Sequence, residues 1–259
     1  MPVSTSILLT ITLGFAPPLF WLWFWLKEDV HPEPRKEIML VFLIGMAAVI
    51  LAFILQTLTA WRIYVMQSGP ISFFDFQEGL SKNTLPIQHG QYFIIGIILF
   101  AFFEEISKWL AAFVSGLRSR YFNEPIDAMI YVLTASLGFA AFENALFVSN
   151  SLANASLKET LVISSFRFAN AVLIHGATGA VIGASFAFSF CHHRRRIAEF
   201  LIALFAATAL HATYNYYILE AGRDHSYQLY AIITVGITAA IALILFERAK
   251  RLKAICEPE

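Results

Sequence analysis

The chain has 259 residues, 58% of them hydrophobic and only 14% charged, with a formal net charge of zero. A soluble domain is about a quarter charged, so a mean hydropathy of +0.67 excludes the soluble class. The balanced charge gives no basic surface for nucleic acid.

A helix needs about 20 apolar residues to cross the hydrocarbon core. The first such run is 6–26. The N-terminal residues MPVSTSILLT carry no basic group, so this run reads as a retained membrane helix rather than a signal peptide. Pro17 and Pro18 should kink it. Further runs follow at 38–60, 92–116, 126–149, 161–190, 197–219 and 227–247. The expected fold is all-α, a polytopic transmembrane bundle of about seven spans. One integral membrane domain over 1–259 is the economical reading, because no hydrophilic stretch could fold alone. The fifth run is long enough to tilt or to project past the bilayer. The longest connection, 61–91, sets Phe73, Phe74 and Phe76 among polar residues. It reads as a loop resting on the membrane surface.

Lys and Arg in the short loops set orientation. Lys27, Arg35, Lys36, Arg118, Arg120, Arg194, Arg195, Arg196, Arg248, Lys250, Arg251 and Lys253 fall on one side of a seven-span chain. Arg62, Lys82, Lys158 and Arg223 fall on the other. The N-terminus is therefore expected outside and the C-terminus in the cytoplasm.

Several polar residues interrupt the spans. The third contains Glu104, Glu105 and Lys108; the fourth, Glu143 and Asn144; the fifth, Arg167 and His175; the sixth, His211 and Asn215. A charge at a helix centre costs roughly 2.5–3.5 kcal/mol on insertion scales. Five such charges unpaired would rival the whole stability of a fold, about 5–15 kcal/mol. They must pair, lose charge or line a wet cavity. Glu104 and Lys108, four apart, share a helix face and can pair. Glu105 lies about 100° round the helix and has no such local partner. Adjacent carboxylates in low dielectric do not both ionise cheaply, and such a carboxyl suits general base work. Arg167 can snorkel or partner a buried Glu, and Lys108 reads as a charge partner. His211 and Asn215 present one face. At about 1.5 Å per residue, Glu143, His211, Glu104 and His175 come within about 8–21 Å of the outer surface, so one cluster is permitted.

These residues resemble the PrsW family of intramembrane proteases. The EExxK signature falls on Glu104, Glu105 and Lys108, followed by NEPIDAMIY from Asn123 to Tyr131 and GFAAFEN ending in Glu143 and Asn144. Arg167 then precedes His175 and Gly176, with Gly179 and Gly183 beyond, and His211 comes last with Tyr214 and Asn215. The agreement covers about 100–220, and a catalytic core of about 92–220 is expected. The family looks related to the CAAX-prenyl and bacteriocin-processing proteases, whose signatures also contain a double Glu and HxxxN. The resemblance implies that Glu104, Glu105, His175 and His211 are catalytic or metal-binding, with Glu143 a further member. It also implies a metalloprotease of a bacterial or archaeal cell membrane. The implied substrate is a single-span membrane protein such as an anti-sigma factor.

The expected chemistry is hydrolysis by a water that Glu104 or Glu105 activates. His175 and His211 either hold Zn²⁺ with Glu143, since a catalytic zinc takes three protein ligands and a water, or polarise the oxyanion, with Asn215 donating to it. Lys108, Asn144 and Arg167 are supporting residues. No H-E-x-x-H is present. Two other classes fit the same residues: a proton- or metal-coupled transporter and a catalytically silent membrane scaffold. Oligomeric state is not legible.

Overall fold

The computed structural model describes residues 3–27, 29, 31–81, 92–192 and 194–252. Nine helices and no strand occur among them: α1 (Val3–Leu26), α2 (Arg35–Ser68), α3 (Phe73–Ser81), α4 (Phe93–Val114), α5 (Pro125–Asn154), α6 (Leu157–Ala169), α7 (Ala171–Phe188), α8 (Arg196–Glu220) and α9 (Ser226–Ala249). Six segments are long and apolar enough to cross a membrane: α1, α2, α5, α6 with α7, α8 and α9. α4, with 22 residues, is long enough to cross as well, but Glu104, Glu105 and Lys108 interrupt it.

α5 and α7 form the centre. α5 is buried without a break from Pro125 to Ala141, and α7 from Ile174 to Ala187. α1 and α2 pack on α5, α8 and α9 pack on α7, and α4 bridges α2 and α8. The surrounding helices turn Ile7, Ile11, Leu43, Phe53, Ile98, Leu201, Ile233 and Ile237 outward. An apolar exterior around a packed interior is the arrangement a lipid solvent demands.

Small residues let the central helices approach. A Cβ on Gly183 would lie 2.7 Å from Cα of Met129, and one on Gly179 would strike the Ser136 side chain. α7 thus settles against α5 along its Gly179–Gly183 edge, one and two turns beyond His175.

The boundaries depart from expectation at α2 and over the run expected at 161–190. α2 runs from 35 to 68 rather than 38 to 60. At about 1.5 Å per residue it spans roughly 50 Å, longer than the hydrocarbon core of about 30 Å. It stops at Gly69, whose φ of 94° lies in the left-handed region. The chain then folds back. The Trp61 indole donates to the Ile71 carbonyl at 3.0 Å, Phe73 meets Trp61 edge-on, and Phe76 packs buried on Tyr64. Of the three loop aromatics only Phe74 is strongly exposed, at 83%. The remainder of that loop, 82–91, lies outside the described residues.

The run expected at 161–190 is two helices. α6 starts earlier, at a capping box in which Ser156 Oγ accepts the Glu159 amide and Glu159 accepts the Ser156 amide. It ends at Asn170, whose side-chain amide donates to the Phe166 carbonyl at 2.9 Å. Competition of that kind for a helix carbonyl is how Asn interrupts helices. α1, by contrast, continues through Pro17 and Pro18, both buried.

Two loops meet at one end of the bundle. Tyr131, fully buried on α5, donates to Glu33 in the α1–α2 connection at 2.6 Å. His31 lies 2.9 Å from Glu124, just before α5. Asp127 is buried and accepts the amides of Asn123 and Glu124, capping α5.

Candidate active site within the helix bundle

The acids and imidazoles from α4, α5, α7 and α8 converge. Glu105 is completely buried, and its Oε1 is the hub. It receives Lys108 Nζ at 2.6 Å, Thr178 Oγ1 at 3.0 Å and His211 Nδ1 at 2.6 Å. Lys108, also completely buried, reaches Thr178 Oγ1 at 3.2 Å. The expected Glu104–Lys108 pair is therefore corrected: Lys108 neutralises Glu105. Positions three apart are neighbours on a helix as much as positions four apart. Glu105 and Lys108 turn together towards α7 and α8, while Glu104 is rotated towards α2.

Glu104 sits at the open side of this core, with its side chain 13% exposed. Its Oε2 lies 3.5 Å from His211 Nε2 and 4.0 Å from His175 Nδ1. Its Oε1 accepts Gln56 Nε2 of α2 at 2.8 Å. The imidazoles meet edge to face, with centroids 4.9 Å apart. His175 Nε2 comes within 2.7 Å of Glu143 Oε2, although that oxygen makes no aligned hydrogen bond.

Arg167 and Asn144 stand behind Glu143. Arg167 Nη2 is 3.4 Å from Glu143 Oε1, Arg167 Nε donates to Asn144 Oδ1 at 2.8 Å, and the guanidinium lies over the Phe147 ring. Arg167 therefore partners Glu143, whose side chain is 34% exposed. Asn215 lies one turn beyond His211, half-buried, with no hydrogen bond shown among the described residues. Tyr214 is buried in an apolar cluster with Ala171 and Ile174.

Ligand atoms of Glu104, His175 and His211 all lie within 4.8 Å of one another. Glu143, grouped with the two imidazoles in the sequence reading, sits instead on the far nitrogen of His175. Around a tetrahedral zinc at about 2.0–2.1 Å, donors stand roughly 3.3 Å apart, so a small contraction would close the set. Two observations favour a metal. His175 Nδ1 is buried without a hydrogen-bond partner. Each imidazole also gives one nitrogen to a carboxylate and turns the other towards Glu104, the arrangement that orients metal-bound histidines.

Two members were missed in the sequence. Thr178 lies three residues after His175 and so on the same face, a signal that was available. Gln56 is a lone amide in the run AFILQTLT, and its partner lies 48 residues away, where no spacing rule reaches.

Residues 33–243 match the family model described as PrsW family intramembrane metalloprotease. The chain belongs to the PrsW family. It is 25% identical to Protease PrsW of Halalkalibacterium halodurans over 81% of this chain and 83% of that one. Protease PrsW of Bacillus subtilis is 25% identical over 80% and 81% of the two chains. Protease PrsW of Geobacillus kaustophilus is 26% identical over 82% and 81%. No solved structure matches. PrsW membership, with the apolar helices, makes the chain a multi-pass intramembrane protease of the bacterial cell membrane.

Proposed function

We propose that this chain cuts a peptide bond of a single-span membrane protein, an anti-sigma-factor-like regulator being the class in view, with a water activated among the glutamates and histidines inside the bundle. The observation that supports this most directly is the convergence of Glu104, His175 and His211 within 4.8 Å. PrsW membership favours hydrolysis over transport or a silent scaffold. The proposed topology has seven spans, with α4 among them and α6 and α7 forming one broken span. The N-terminus is outside, and the basic loops are in the cytoplasm. The proposed domain is the whole chain.

Glu104, His175 and His211 would hold the metal. A Zn²⁺ held there would supply Lewis acidity, bringing the pKa of a water to about 7. Glu105 fixes the His211 ring through Nδ1, and Lys108 with Thr178 fixes Glu105. Glu143 orients His175 and is itself steadied by Arg167. Asn215, on the His211 face, donates to the oxyanion of the scissile carbonyl. A second reading needs no metal: Glu104 Oε2 takes the proton of the water directly. It is favoured by the exposure of Glu104 beside two imidazoles, while Glu105 is already spent on Lys108 and His211.

Cleavage of a co-expressed single-span substrate tests the proposal. Glu104→Ala and His175→Ala are expected to lower the rate by at least about 10²-fold while folded protein stays in the membrane. Normal cleavage by both variants would sink it. Zinc content of purified wild type against His211→Ala separates the two routes: stoichiometric zinc lost in the variant supports the metal, and full activity of metal-free protein supports the direct one.

A further inference from the structure

Gln56 is on α2, apart from the four helices that carry the acids and imidazoles. Its neighbours Phe53 and Ile54 are exposed on the apolar exterior. An amide at such a depth is costly unless bonded. Its bonds are not local: Nε2 donates to Glu104 Oε1 at 2.8 Å and reaches the Phe100 carbonyl at 3.4 Å, both on α4. The choice of oxygen is selective. Taking Oε1 leaves Oε2 turned to His211 and His175.

Glu104 needs this restraint because it stands at the margin of the bundle. Leu55 and Phe103, chain neighbours of Gln56 and Glu104, line a groove of about 450 Å³ between α2 and α4. The Glu104 side chain, 13% exposed, has room for other rotamers. Glu105, by contrast, is fixed from three directions.

We infer that Gln56 is a positioning residue, which holds Glu104 in the rotamer that presents Oε2 to the two imidazoles. The inference rests on the reading of Glu104 as a reacting carboxylate. Partners of this kind typically carry about 10–100-fold in activity.

The test uses the purified full chain in proteoliposomes with a single-span substrate. Gln56→Met keeps the shape and removes the donor. It is expected to lower kcat about 10–100-fold, hold KM within about twofold and leave the Tm in place. Gln56→His, which retains an N–H, should recover part of the lost kcat. If Gln56→Met does not fold, Gln56→Leu takes its place. Wild-type kcat in a folded donor-less variant overturns the role, as does a kcat loss matched by a fall in Tm that Gln56→His does not relieve. Glu104→Gln is run in parallel. If it is inactive while Gln56→Met is fully active, only the positioning role fails. If it cleaves normally, the reading of Glu104 itself fails.

Discussion

Two groups of buried and half-buried carboxylates in this molecule are handled in opposite ways. Among α4, α5, α7 and α8, Glu104, Glu105 and Glu143 are answered by Lys108, Arg167 and two imidazoles. Where the α1–α2 connection meets the start of α5, Asp127 and Glu33 are answered by backbone amides and a tyrosine hydroxyl. Capping is enough to explain the second group, since amides at a helix start attract a carboxylate. It does not explain the first, which lies mid-helix where every amide is already spent. Buried ions with matched counter-ions are an expensive way to hold helices together, and an apolar core would serve as well or better. The difference between the groups sets the proposed site apart from a fastening.

The comparison breaks most visibly at Glu105. Glu105→Gln should leave the ammonium of Lys108 buried with no counter-ion, and removing one partner of a buried pair costs about 3–5 kcal/mol. We expect a large fall in thermal midpoint in detergent, together with loss of cleavage. Adding Lys108→Met to that variant should restore much of the stability but not the activity, because His211 would still lack its orienting carboxylate. Equal stability of the single and double variants would show that the pair is not coupled. No comparable rescue is expected at Asp127, which accepts the Asn123 and Glu124 main-chain amides.

A smaller effect is expected at Gly183. Its missing Cβ lets α7 lie against Met129 of α5. Gly183→Val should cost about 1–3 kcal/mol by overpacking. His175 rides on the same helix, so cleavage should fall further than stability alone explains. Thermal midpoint and cleavage rate on the same preparation measure both. Unchanged cleavage at reduced stability would mean that the α5–α7 contact supports the fold without aligning the site.

The sequence made the helical class plain because apolar runs of membrane length can hardly be anything else. It also singled out the acids and imidazoles that converge in the bundle, because a Glu or His in such a run stands out against leucine and phenylalanine. What it left hidden was direction. EExxK allows Lys108 to pair with either Glu, and only the neighbours on α7 and α8 decide for Glu105. His175 could have shared a metal with Glu143, but the fold places Glu143 on its far nitrogen and Glu104 on its near one. The break at Asn170 was hidden because one polar residue between apolar stretches looks like many others. Gln56 was hidden because its significance depends wholly on a distant helix.

The smallest expected effect is at the capped end. Burial raises the carboxyl of Glu33 above its ordinary 4.5 and that of Asp29 above its ordinary 3.8. The folded chain therefore keeps protons that the unfolded chain has released as pH climbs past those values. Stability falls with pH wherever the folded state binds more protons. The contribution is greatest below pH 3.8, declines through the window above 4.5 and levels off once both folded carboxyls have ionised. Glu33→Gln still accepts from Tyr131 and no longer titrates, so its thermal midpoint should fall less steeply across that window than that of the wild type. The cleavage rate at a fixed pH should hardly change, since the acid–imidazole cluster is built from other helices. A midpoint profile that stays parallel to wild type would place the titration elsewhere. A lost cleavage rate would join the two carboxylate groups into one working unit.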